Sequence, residues 1–296
     1  MRSAQDLASA NIKLLTLPAI YSAVKRIVDD PASSAMELAR LISNDPAMTA
    51  RLLKLVNSAF WGFGGRIESV SRSVTLLGMI QVHDLVLANS VGSVFAGLDP
   101  ARVDVAKFWR GSVFRALAAT ELARQSGLAD TGRVFTQGLL SDIGHMILYQ
   151  EVPALAARAS ESARGRPWEL ARLERELIGC DFAQVGGALA DAWNLPRSFG
   201  AAIANQNDPE RAGSHTLEAA LLHLAGKLAE SRSPDCSVTD CVARIAPFAW
   251  GSIGLDADRV PEILAAVEPN LSATIELFRP PNARVLPLRP QQRLRA

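Results

Sequence analysis

Histidine is scarce in this chain, with four among 296 residues, at positions 83, 145, 215 and 223. Cysteine is scarcer, at 180, 236 and 241. An odd set of three without a CxxC pair argues against a disulfide framework or a zinc knuckle, and buried thiols are the expectation. Long apolar runs are missing too. The charge-free stretch between Asp84 and Asp99 is 14 residues and includes Asn89, Ser90 and Ser93, below the roughly 18 apolar residues of a membrane span. The start, Met1-Arg2-Ser3-Ala4-Gln5-Asp6, lacks the basic residues and apolar core of a signal peptide, so a cytoplasmic protein is expected. Strand-length alternation of apolar and polar residues is also rare, which disfavours a sheet.

What is present is a globular composition, 49% hydrophobic and 21% charged, with enough chain to bury one large domain or two lobes. The balance of 31 basic and 30 acidic residues hides an asymmetry. Residues 279–296 carry five arginines, four prolines and no acid; without them 26 basic face 30 acidic residues, a body of about −4. Such a body does not attract phosphate backbones in general. The tail reads as a flexible appendage.

Helical spacing recurs from end to end, so the fold class is all-α. Ser34-Ala-Met-Glu37 reads as a capping box ahead of Leu38, Leu41 and Ile42. Asp45-Pro46 reads as a cap followed by proline at the first helical position, with Met48, Leu52 and Leu55 or Val56 on one face. A short helix from about Glu68 should stop at Gly78, and another should run from about Ile80 to Phe95. Further helices are expected over 103–125, 133–149, 182–193 and 197–206, with a helix capped by Ser214 after Gly213 and another over 261–277. Gly62-Phe-Gly64-Gly65 has no strand before it and no Lys-Ser/Thr after it, so it reads as a turn and not as a phosphate loop. His83 with Asp84, and Asp142 with His145, could be acid/base partners, but no nucleophile or third ligand lies near either in sequence.

One ordered series stands out. It begins Leu14-Leu-Thr-Leu17-Pro18, Ile42-Ser-Asn-Asp45-Pro46, Leu52 to Asn57-Ser58, and Val74-Thr-Leu-Leu77-Gly78. It continues through Phe108-Trp109, Gly138-Leu-Leu-Ser-Asp142-Ile-Gly144, Gly179-Cys-Asp-Phe-Ala183, Ala192-Trp193-Asn194-Leu195-Pro196 and Asp208-Pro209. The series resembles the HDOD domain family over about residues 12–212.

The resemblance implies an N-terminal helical lobe over 1–98, a pseudo-HD lobe over 99–235, a helical extension over 236–278 and the loose tail. HDOD domains are similar to the HD superfamily of metal-dependent phosphohydrolases, and the motif match places the family's metal-ligand positions at Gly111, Ser141 with Asp142, Phe182, Gln206 with Asn207, and Gly226. Of these only Asp142 is a carboxylate; glycine and phenylalanine have no ligating side chain and amides are poor substitutes for imidazole. The resemblance thus implies no catalytic, cofactor or metal residue, and a regulatory module acting through protein–protein contacts. It points to bacterial signalling with response regulators or diguanylate cyclases as partners, in two-component or cyclic-di-GMP pathways. The Gly-Tyr-Pro tripeptide of the cyclic-di-GMP phosphodiesterase branch is absent.

Asp142 is expected to serve structure. Leu17, Pro18, Asp45, Pro46, Asn57, Ser58, Gly78 and Trp193 are signature positions with architectural readings, and Asn57, Ser58 and the Phe60-Trp61 edge are a candidate partner surface. The alternatives are a degenerate HD-type phosphohydrolase, a nucleotide-binding domain in the vacated cleft, and nucleic-acid binding through Val70–Val86 and the tail, which the acidic body opposes.

Overall fold

The computed structural model describes residues 1–10, 17–58, 60–61, 65–94, 104–128, 130–233 and 236–278. The start of the Leu14 motif, the glycines at 62 and 64, and the tail from 279 lie outside the described residues. Among the described residues the chain is all helix and turn, with no strand.

The first lobe holds α2 (Ala19–Asp29), α3 (Ala35–Ser43), α4 (Pro46–Val56), α5 (Val70–Leu77) and α6 (Met79–Val94). Its helix starts follow local chemistry. Ser34 and Glu37 form the reciprocal capping box, and the Asp45 carboxylate accepts from Met48 N at 2.9 Å with Pro46 at the first helical position. Gly78 ends α5 at φ 82°, a conformation that a side chain would disfavour, and α6 starts at the next residue. Leu85, Val86, Leu87, Ala88 and Val91 of α6 are all fully buried, and His83, Asp84, Asn89 and Ser90 are buried with them, so the middle of α6 is enclosed by its neighbours.

The second lobe is built on α7 (Val105–Gln125), α8 (Thr131–Leu140), α9 (Gly144–Glu151), α10 (Pro153–Ser162), α11 (Leu170–Leu177), α12 (Phe182–Ala192), α13 (Arg197–Ala204) and α14 (Thr216–Glu230). It is followed by α15 (Val238–Val242), α16 (Pro247–Ile253) and α17 (Val260–Phe278). The helix α6 packs on α8, which joins the lobes.

Several expectations need correction. The single helix expected over 133–149 is two, α8 and α9, because the turn at 141–143 brings Gly144 against α12, where a Cβ would lie 1.9 Å from the Phe182 carbonyl oxygen. Ser214 does not cap α14: a 3-10 turn over Pro209–His215 precedes it, and the Thr216 hydroxyl bonds the Gly213 carbonyl. The first helix, α1 (Ala4–Ala10), packs on α12 and α9 of the second lobe, held there by an Arg2 N to Ile178 O bond. The last helix of the extension joins the core. Ile263, Val267 and Phe278 bury α17 against α7, and it reaches α4 of the first lobe. Finally, Cys236 and Cys241 are not thiols but a disulfide, because the turn before α15 brings their Cα atoms to 6.7 Å. Cys180 is the buried free thiol.

Candidate functional site

Close helix packing builds the centre of the second lobe. Gly138 lets α8 sit on α7, where a Cβ would come 2.8 Å from Ala116 Cα, and Gly144 with Gly186 does the same between α9 and α12. With the backbones this near, the turn between α8 and α9 directs Asp142 inward, towards Arg115 of α7.

Four charged side chains meet there. Arg115 Nη1 lies 3.2 Å from Asp142 Oδ2, His145 Nδ1 lies 3.1 Å from Asp142 Oδ1, and His145 Nε2 lies 3.1 Å from Glu174 Oε1. The other Glu174 oxygen accepts from Phe182 N at 2.9 Å. The Phe182 ring stacks on the imidazole with centroids 4.2 Å apart and planes within 15°, and Tyr149 is stacked on it at 5.8 Å. Burial opposes charge at His145, yet Asp142 and Glu174 outweigh it, and its pKa is raised well above the ordinary imidazole value. At Asp142, burial is likewise outweighed by Arg115 and His145, and the carboxyl is held well below its usual range. An imidazolium between two carboxylates, with a guanidinium beyond, is therefore the resting state.

Most of the positions that the resemblance singles out converge here. Gly111 lies one turn before Arg115 on α7, and a Cβ on it would be 3.2 Å from the guanidinium, so the bare glycine leaves room for that group. The Gln206 amide donates to Ser141 O at 2.6 Å and to Ile203 O at 3.0 Å. The Gln206 backbone carbonyl accepts from His223 Nδ1 at 2.8 Å. Asn207 donates to Asp181 Oδ2 at 3.4 Å, and Asp181 also pairs with Arg175. Beside this network is a small cleft of about 30 Å³ lined by Arg115, Phe182, Gln206, Asn207, His223 and Gly226, with Leu222, Lys227 and Glu230 completing it.

The first-lobe signature residues lie elsewhere and are occupied by architecture. Asn57 clamps the backbone of Ile67, donating to its carbonyl at 2.7 Å and accepting from its N–H at 2.7 Å, and it also donates to Leu53 O. Phe60 and Trp61 are half-buried, 5.9 and 6.0 Å from the Phe135 ring of α8, so this aromatic pair faces the seam between the lobes and is not an exposed edge. Leu17 is buried, Pro18 precedes α2, and Trp193 caps α12 and packs on the core. Ser58 is partly buried beside them.

A second polar cluster occupies the same seam. His83 Nδ1 lies 2.8 Å from Asp84 Oδ1, His83 Nε2 lies 3.1 Å from the Tyr21 hydroxyl, and Arg133 of α8 faces Asp84 at 3.5 Å. Thr136 donates to the Asp84 carbonyl at 3.2 Å. Burial and the Asp84 charge push the Tyr21 phenol up, and the contacts of the group join α2, α6 and α8.

Sequence reasoning missed Arg115, Glu174 and His223. Arg115 had a signal, since it stands four residues after Gly111 on one helix face; Glu174 and His223 reach the site only through folding.

The residues present do not fit the metal centre of the HD superfamily. Arg115 brings a cation to the one remaining carboxylate, both His145 nitrogens face carboxylates, and no group of three or more His, Cys, Asp or Glu among the described residues is placed to hold a metal.

Comparison with known proteins gives the family and the fold. The sequence profile of the HDOD domain matches residues 14–209, more than half of the chain. An uncharacterized protein of Treponema pallidum (strain Nichols) is 28% identical over 184 residues, which are 61% of this chain and 35% of that protein, so the chain spans only about a third of that relative. An HDOD domain protein with unknown function from Geobacter sulfurreducens superposes with TM-score 0.72 at 23% identity, covering 93% of this chain and 98% of that one. A proposed phosphohydrolase from Shewanella amazonensis SB2B superposes with TM-score 0.69 at 25% identity, covering 92% and 98%.

Proposed function

The chain belongs to the HDOD domain family, and from that premise we propose that it is a non-enzymatic regulatory module of bacterial signal transduction that acts by binding other proteins. The observation that carries this reading is the Arg115–Asp142 pair: a guanidinium lies beside the carboxylate that remains at the metal-ligand positions. Hydrolysis of a phosphoester by the HD route needs a divalent ion to activate water. A fixed guanidinium can neutralise a carboxylate but offers no open coordination position. Partners of the response-regulator or diguanylate-cyclase type, in two-component or cyclic-di-GMP pathways, are what the family resemblance suggests.

Two measurements on the purified full chain test the proposal together. Affinity capture from cells, followed by titration of each captured protein, should yield saturable binding to a signalling protein. Elemental analysis should find no stoichiometric Fe, Mn, Ni or Zn. A bound metal at one equivalent together with phosphodiester hydrolysis would overturn the reading in favour of a degenerate phosphohydrolase, for which the likeness to the Shewanella protein is the one specific argument.

A further inference from the structure

We infer that the stripe His223, Gly226, Lys227 and Glu230 on α14 forms a subsite for the uncharged, hydrogen-bond-donating end of a small molecule of the primary-amide class. Spacings of three, four and seven residues put these side chains on one helix face, and that face lines the small cleft, about 30 Å³, opposite Arg115 and Phe182. The inference is independent of the signalling reading, because a regulatory or an enzymatic protein could use such a site.

Gly226 is the first observation. It lies inside a fifteen-residue helix, where glycine is among the poorest helix formers. Its φ is not positive, and an added Cβ would meet nothing within 4 Å. Neither backbone geometry nor packing requires a glycine there. What the missing side chain does is keep the cleft open.

Unpartnered acceptors are the second. His223 is 8% exposed; its Nδ1–H donates to the Gln206 carbonyl, and its Nε2 is buried with no hydrogen-bond partner among the described residues. Burial lowers the pKa of this imidazole to about 4, with Lys227 acting in the same direction. The ring is neutral at physiological pH, and Nε2 presents a lone pair. Glu230 accepts from Lys227 Nζ through Oε1 at 2.8 Å, while its Oε2 is likewise buried without a hydrogen-bond partner. Buried acceptors left unmatched are costly, so each calls for a donor.

The ligand chemistry follows from these two atoms. Both accept, so the ligand must donate. An anion would meet the Glu230 carboxylate, and a free cation would meet Lys227 and Arg115. A neutral amide satisfies the set: its N–H groups serve His223 Nε2 and Glu230 Oε2, and its carbonyl takes a donor from Lys227 or Asn207.

The test is a titration of the full chain with acetamide, read by the His223 ring nitrogens in long-range proton–nitrogen NMR, with inorganic phosphate and methylammonium as charged controls. Acetamide should move the Nε2 resonance saturably and the controls should not. Gly226→Leu should fill the cleft and abolish the shift while the thermal midpoint holds or rises. Should that variant fail to fold, Gly226→Ala should raise the midpoint by a few degrees and weaken binding several-fold. A resonance unmoved by acetamide, as for a cleft holding an ordered water only, overturns the inference. So does saturation by phosphate or methylammonium in place of acetamide, or an undiminished shift in the glycine variants.

Discussion

Two buried histidines, His83 at the seam between the lobes and His145 in the second lobe, each lie beside an aspartate and face an arginine-bearing helix, yet they do different work. His83 has one carboxylate and one neutral partner, Asp84 and Tyr21. His145 has two carboxylates, Asp142 and Glu174, and two stacked rings. The seam cluster ties three helices together across sequence separations of more than fifty residues. The core cluster balances two carboxylates against an imidazole and a guanidinium inside the second lobe. Similar residue types therefore join helices in one place and gather buried charge in the other, and the two clusters differ in the number of carboxylates around the imidazole.

The largest effect should come from removing the guanidinium. Arg115→Met leaves Asp142 nearly buried with half of its compensation gone, and a buried pair broken from one side costs about 3 kcal/mol; urea unfolding would measure it. A loss below about 1 kcal/mol would mean that His145 alone balances Asp142. His145→Gln should cost about 2 kcal/mol near pH 6, because two charge-assisted contacts disappear together.

That variant should also alter the pH profile. The folded-state pKa of His145 is raised, so its contribution is complete below the unfolded value of about 6.5 and is lost as pH climbs through the folded value. Asp142 behaves oppositely: its folded pKa is lowered, so its contribution is present above about 3.9 and is lost as pH falls through the folded value. Thermal midpoints of the parent chain should decline on the alkaline side. His145→Gln should flatten that decline; an unchanged slope would show that His145 is not the titrating group.

Smallest is the seam hydroxyl. Tyr21→Phe removes one neutral hydrogen bond and should cost about 1 kcal/mol by urea unfolding at neutral pH.

Much of the helical frame was legible in the sequence. The capping box at Ser34, the Asp45-Pro46 start and the stop at Gly78 are local signals, carried by side chains that act on backbone groups three or four residues away. The break at 141–143 was not legible, because its cause is the Phe182 backbone some forty residues later. The Cys236–Cys241 bridge was missed for a related reason: the odd cysteine count argued against pairing, and only the turn before α15 brings two of the three together.

By itself the sequence determined an all-α chain, the order of its signature motifs and the absence of a ligating side chain at 111, 182 and 226, since composition, helical period and side-chain identity are properties of the chain alone. Tertiary structure decided that Arg115 faces Asp142, that Glu174 closes on His145, that α17 is buried, and that Gly226 opens a cleft beside two unmatched acceptors. Those outcomes depend on how closely helices approach, and closeness is set by side chains distant in sequence that meet only once the chain has packed.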